Sequence, residues 1–336
     1  MARVRAAGRQ RTADLDASAS GRPGRTPGPA PGRPGRAPAR GRRRGRAPGP
    51  AVRDGRTARV SLDESRLQEL ATLAAGVLDE VTPFFISEIG AKEEVVKGIG
   101  DWATAADLAL ERQITSALND RTGLPVHGEE FGGPDLHTGV TWVLDPIDGT
   151  ANYTARIPLT GISLALLEDG LPVVGLIRLP LVGESYQAVA GGPLIRNGEA
   201  MPTLEPGRVE DVTVTLGNVA PKGTHGGPTP RYPFRYRMAM ANAIAHTALR
   251  VRMFGSSAVE LAWASSGAIG ATLNFGNHAW DNAAGALLVE RAGGVLRDIE
   301  GNPWSLRSTS ILVGRPGVVE ELVEMIGALG EPATFA

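Results

Sequence analysis

From residue 62 onward, apolar positions recur at intervals that divide the chain into elements. Leu62, Leu67, Leu70, Leu73, Ala74, Val77 and Leu78 form the stripe of an amphipathic helix, and Ser61 with Glu64 has capping-box spacing at its start. Residues 91–100, with Lys92, Glu93, Glu94, Lys97 and two glycines, read as a mobile polar loop. A second helix is expected over 101–118. Asp107, Leu110, Ile114 and Leu118 share one of its faces, so an acid sits on or beside the buried stripe near the helix start. Alone, that acid also fits a simple partner for the helix dipole.

Beyond the second helix the pattern turns to strands. Trp142 to Leu144 is an apolar run that ends in Asp145-Pro146-Ile147-Asp148-Gly149-Thr150, the signature of a buried strand delivering carboxylates to a turn. Gly161–Glu168 and 172–179 are strands of a hairpin joined at Glu168-Asp169-Gly170, with 184–190 pairing beside them. A second run of elements opens near Glu205: a strand over 211–217, a Pro/Gly-rich loop to 233, a helix over 235–248 and a strand over 250–254. A helix then begins at Ser256-Ser257, a strand covers 268–275, and an Ala/Leu-rich helix starts near Asp281 and ends at Gly293-Gly294. The expectation is an α+β domain over 60–336, with a mostly antiparallel lobe over about 60–204 and a second lobe over about 205–336.

Charge separates the N-terminus from everything after it. Residues 1–59 hold sixteen Arg, no Lys and three Asp, a net +13 in a chain whose total is −1. They contain few large apolar residues to bury, which predicts a disordered tail. Two readings stand: a GC-rich leader translated from a misassigned start, which is the expectation, or a basic arm for a nucleic acid. No secretory h-region and no apolar run near the ~20 residues of a membrane span are present. The chain has no cysteine, which excludes disulfides, thiolate zinc sites and cysteine-nucleophile phosphatase chemistry. A cytoplasmic enzyme with no membrane partner is the default.

The chemistry concentrates at Asp145 and Asp148. Side chains alternate along a strand, so acids three apart would face opposite ways; a turn at Pro146 is expected to bring them round to one side. Two carboxylates and the Ile147 carbonyl make a hard-oxygen set suited to Mg2+. Glu129 and Glu130 stand after another short apolar run, and a helix opening at Ser256-Ser257 is expected to leave free amides at its N-terminus that could meet an anion. The five histidines show no metal-ligand spacing.

Taken together, Asp145-Pro-Ile-Asp148-Gly-Thr150-x-Asn152, Gly128-Glu129-Glu130, Trp280-Asp281-x-Ala-Ala-Gly285 and Asp101-x-x-Thr104-x-x-Asp107 resemble the inositol monophosphatase family of Mg2+-dependent, Li+-sensitive phosphatases. The resemblance covers most of 61–327 and implies a layered αβαβα sandwich with the site between the lobes, and a homodimer. It implies that Glu129, Asp145 and the Ile147 carbonyl hold one Mg2+ and that Asp145, Asp148 and Asp281 hold a second, with Glu130 either outside the ligand set or near a weaker third. Thr150 and Glu129 would orient the attacking water and help take its proton, and Asp107 would support Thr150. The Gly149 and Thr150 amides would hold phosphate oxygens. Paired cations also answer the repulsion between an acid cluster and a phosphate ester.

Haloacid-dehalogenase-like phosphatases also use Asp and Gly-Thr, but with a two-residue spacing between the acids; the three-residue spacing here argues against an aspartyl nucleophile. Substrate choice is less fixed. Asn274 stands where inositol-preferring relatives carry a Glu that contacts substrate hydroxyls, so it cannot supply a charged acceptor. Gly128-Glu-Glu-Phe-Gly132 also resembles members acting on histidinol phosphate. The expectation is hydrolysis of a small phosphate monoester such as inositol monophosphate without a phosphoenzyme. Histidinol phosphate or another sugar phosphate is the alternative within the family, and a non-catalytic regulatory or RNA-associated module using the basic tail is the alternative of another class.

Overall fold

The computed structural model describes residues 62–98, 101–219 and 231–335. The Arg-rich tail, Ser61 with its expected capping box, and most of the Pro/Gly-rich loop before residue 233 lie outside the described residues.

Chain order explains the layers. Helix α1 (Glu64–Ser87) starts at Asp63, whose carboxylate accepts the Arg66 N–H at 2.8 Å. Where a polar loop was expected, β1 (Glu93–Gly98) and β2 (Asp101–Thr104) form an antiparallel pair with Val95 opposite Ala103 and Val96 opposite Trp102. The charged residues concealed a short β-branched and aromatic segment suited to a hairpin. Helix α2 (Ala105–Thr122) therefore starts four residues later than expected. Thr104 caps it, and Asp107 bonds back to the Thr104 amide in a capping box.

Strands β3 (Val126–Gly128), β4 (Val140–Asp148), β5 (Gly161–Glu168), β6 (Leu171–Leu179), β7 (Glu184–Val189), β8 (Ile195–Arg196) and β9 (Glu199–Ala200) form a seven-stranded sheet in chain order. Only β3 and β4 run parallel. The β5–β6 hairpin turns through Asp169 and Gly170, both at positive φ, as its Asp-Gly signal predicts. After β4 comes a short helix, α3 (Thr150–Thr154).

The rest of the chain builds β10 (Thr213–Leu216), α4 (Phe234–Thr247), β11 (Arg250–Arg252), α5 (Ser257–Ser265), β12 (Ala271–Asn274), α6 (Ala279–Arg291), β13 (Val295–Arg297), β14 (Ile311–Gly314) and α7 (Val318–Gly327). Its five strands lie in the order β11-β10-β12-β14-β13. Both β11 and β12 fall short of the expected strands: the chain leaves the ladder at Met253, and a bend over 268–270 precedes Ala271.

Alternation along the strands sorts the core into layers. Trp142, Leu144, Leu164 and Leu176 face α1 and α2, whereas Val143, Ala165 and Ile177 face α5 and α6. The far sides of α5 and α6 supply Leu261, Ala264, Ala286 and Val289 to a second interface with Ile311 and Val313. Tyr236, Met240 and Ile244 of α4, with Leu322 and Ile326 of α7, cover the outer face of the five-stranded sheet. The result is the αβαβα sandwich the sequence implied. Helix α1 is long and apolar enough to cross a membrane by length and composition alone. Its stripe of Leu67, Leu70, Ala74, Val77 and Leu78 is instead buried against α2 and the sheet.

Candidate active site

The two acids of the central motif reach one side by a different device from the turn expected after Asp145. Strand β4 continues through Pro146 to Asp148. Asp145 pairs with Ser163 and Asp148 with Gly161, so three steps on β4 oppose two on β5. One extra residue restores the even spacing that puts both carboxylates on the same face. Pro146 has no N–H to lose from the ladder, and the Ile147 amide donates to Asp145 Oδ1 at 3.0 Å. Gly149, at φ 84°, swings the chain into α3; a Cβ there would lie 3.0 Å from the Ser256 Cβ. The Thr150 hydroxyl donates to the Ile147 carbonyl at 3.2 Å.

Asp148 lands on the start of α5. It accepts from the Ser256 hydroxyl, from the Ser257 amide at 3.2 Å and from the Ala258 amide at 2.7 Å. Ser256 also caps α5 by accepting the Val259 N–H at 3.2 Å. Its hydroxyl is thus engaged within the protein, holding an acid. Ser257 accepts from the Asn274 side-chain amide at 3.3 Å, which pairs two of the expected substrate contacts. Asn152 joins two segments distant in sequence by donating to the Leu159 and Phe254 carbonyls, each at 2.7 Å.

Asp281, in the first turn of α6, completes a close group: Asp145, Asp148 and Asp281 each offer a carboxylate oxygen within 4.8 Å of the others. Asp145 and Asp148 are buried. Burial, reinforced by Glu129, Asp148, Asp281 and Asp107, holds the Asp145 carboxyl well above the usual range. Burial pushes Asp148 up to about 6, against the lowering effect of its bonds to Ser256 and Ala258. Carboxylates crowded in this way fit a hard divalent cation, whose charge would replace the protons that burial favours.

Glu129 is half-buried; its amide donates to the Leu144 carbonyl at 3.0 Å, and its charge acts on both Asp145 and Asp148. Asp107, expected to support Thr150, is buried and accepts from the Thr104 hydroxyl at 2.5 Å and the Thr104 amide at 2.8 Å. The Glu130 amide donates to Glu111 at 2.9 Å.

Three features escaped the sequence reading. Glu111 lies under the Glu129–Glu130 turn, and its signal was an acid one helical turn after Asp107. Glu260 is buried in α5 and accepts from the Phe254 amide at 3.0 Å and the Thr272 hydroxyl at 3.1 Å; burial pushes it up to about 8. A charge inside Ala258-Val259-Glu260-Leu261-Ala262 was the clue. Finally, Trp280 stacks on His278 at 4.8 Å and on His127 at 6.1 Å between ring centres, joining the segment before Glu129 to the one before Asp281. The separation of 153 residues between His127 and Trp280 leaves no local pattern of that pairing.

A family model described as the inositol monophosphatase family matches residues 63–328. The chain belongs to the inositol monophosphatase family. Membership places it among the phosphoric monoester hydrolases. Within the family it is 42% identical over 272 residues to the probable inositol 1-monophosphatase ImpA of Mycobacterium tuberculosis, covering 81% of this chain and 99% of that one. It is also 42% identical over 276 residues to the inositol-1-monophosphatase ImpA of Mycolicibacterium smegmatis, covering 82% and 98%. The fold matches the crystal structure of the extragenic suppressor protein suhB from Bartonella henselae with a TM-score of 0.69 and 24% identity, over 77% of this chain and 98% of that one.

Proposed function

We propose that this chain is a Mg2+-dependent phosphatase that hydrolyses inositol monophosphate, with its site where the β4 end meets α5 and α6, between the lobes at 60–204 and 205–336. The close group of Asp145, Asp148 and Asp281 carries the reading, because acids contributed by distant parts of the chain converge where an anionic substrate needs positive charge. Glu129, Asp145 and the Ile147 carbonyl would hold one Mg2+, and Asp145, Asp148 and Asp281 a second. Bound there, the cations would neutralise the phosphate and lower the pKa of water.

The remaining work falls to the chain's own groups. Thr150, already against the Ile147 carbonyl, would orient the attacking water, with Glu129 accepting its proton. The Gly149 and Thr150 amides, at the start of α3, would hold phosphate oxygens. Ser257 and Asn274 would face the alcohol portion, where the Asn274 amide can bond to a hydroxyl without the charged acceptor that inositol-preferring relatives carry. The 42%-identical relatives are named for inositol 1-monophosphate hydrolysis, which supports inositol monophosphate over histidinol phosphate. A cytoplasmic homodimer completes the proposal; sedimentation of the purified chain as a monomer would remove that part.

Phosphate release from myo-inositol 1-phosphate, histidinol phosphate, fructose 1,6-bisphosphate and adenosine 3′,5′-bisphosphate, with and without Mg2+, tests the reading. The expected result is Mg2+-dependent release fastest with the inositol ester. No Mg2+-dependent release from any of the four contradicts it.

A further inference from the structure

Under the Gly128–Phe131 turn lies a carboxylate that the proposed chemistry does not use. Glu111, on α2, is 1% exposed. Its oxygens are divided between consecutive amides: Oε2 accepts the Glu130 N–H and Oε1 the Phe131 N–H, each at 2.9 Å. A Cβ on Gly128 would lie 1.9 Å from Oε1, so the missing side chain at 128 is what lets this carboxylate lie against the backbone. The next residue on the helix, Arg112, holds its guanidinium 4.9 Å from the centre of the Phe131 ring. From the other direction the Glu129 amide is bonded to the Leu144 carbonyl, one residue before Asp145. Glu129 is therefore fixed between the strand that carries Asp145 and the helix that carries Glu111.

We propose that Glu111 is a positioning residue for Glu129, setting the acid's place relative to Asp145 through two hydrogen bonds to the turn that carries it. The inference rests on the reading of Glu129 as a metal ligand. Two amides held by one side chain on a rigid helix resist any shift of the turn. A glutamine at 111 keeps the shape but offers one oxygen to two donors, so one amide loses its bond. Outer groups that orient a ligand typically alter metal affinity about 10–100-fold.

Calorimetric titration of the full metal-free chain with Mn2+ tests this, alongside the Mg2+ dependence of phosphate release and thermal melting. Glu129→Gln is expected to lose the tight Mn2+ site. Glu111→Gln is expected to weaken it by about tenfold or more, with KM at saturating Mg2+ within about twofold of the parent, and Glu111→Asp, which keeps both oxygens, is expected to fall between. Gly128→Ala should weaken Mn2+ binding in the parent and add little on top of Glu111→Ala, because the clash it creates is with the Glu111 carboxylate. Leu110→Ala, a buried neighbour, should lower the melting temperature and leave Mn2+ affinity unmoved. Parent-like Mn2+ affinity in both Glu111→Gln and Glu111→Asp, while Glu129→Gln loses the site, overturns the positioning role alone. Parent-like affinity in Glu129→Gln overturns the ligand reading and this inference with it.

Discussion

Two regions of the molecule bury acids and treat them in opposite ways. At the end of β4, Asp145 and Asp148 are packed beside Asp281, and Glu129 and Asp107 add their charge to Asp145. At the root of α5, Glu260 is as deeply buried, but it faces the Phe254 amide and the Thr272 hydroxyl and is pushed up to about 8. The second acid solves its burial by keeping a proton, and it braces the turn that delivers Ser256 to Asp148. The first group has too many carboxylates for protons to be a working solution near neutral pH, and a cation is the alternative. Burial alone therefore does not mark a chemical acid; crowding by other acids does.

Neutralising one member of the crowded group should break the contrast most severely. Asp145→Asn or Asp281→Asn is expected to lower kcat/KM for phosphate release by roughly a thousandfold or more, the first weakening both metal sites and the second abolishing one, read by Mn2+ titration. Ser256→Ala comes next. It removes the hydroxyl bond that lowers the Asp148 pKa, so Asp148 rises further and Mg2+ affinity falls by about 10–100-fold. The pH sign follows from the same group: the cation needs ionised carboxylates, so Mg2+ affinity should increase as pH climbs through about 6, and Ser256→Ala should move that rise to higher pH.

Asn274→Glu should sharpen substrate choice with a smaller effect. A charged acceptor beside Ser257 is expected to change the KM for inositol monophosphate relative to histidinol phosphate by about tenfold, with little change in the Mg2+ dependence. Glu260→Gln should have the least effect on turnover. Its signature is in stability. The folded pKa, about 8, lies above the ordinary glutamate value of 4.5, so the folded state holds the extra proton between these values and stability falls as pH rises through that window. Glutamine has no proton to lose, and melting temperatures should decline less between pH 5 and 8 than in the parent. An identical slope would mean that Glu260 does not carry the proton.

Much of this was legible in the chain. The stripe of α1 and the Asp169-Gly170 hairpin follow from periodicity and turn chemistry, because each depends on neighbours in sequence, whereas the five-layer order was legible through the resemblance to the family. The ligand candidates at 129, 145, 148 and 281 were visible as acids at element ends. The bulge was not, since one extra residue in a ladder is defined by the partner strand and Pro146 alone suggests a turn. The hairpin before α2 was hidden for a related reason: Glu93, Glu94 and Lys97 mask the local β preference of Val95 and Val96. Glu111 and the His127–Trp280–His278 stack depend on contacts between segments, which no spacing along the chain reports.

The most direct measurement is anomalous scattering from a crystal of the chain soaked in Mn2+, recorded at the manganese edge. Strong peaks are expected among Asp145, Asp148 and Asp281, with one shared by Asp145 and Glu129. An active, Mg2+-dependent enzyme whose manganese peaks lie away from these four acids would contradict it.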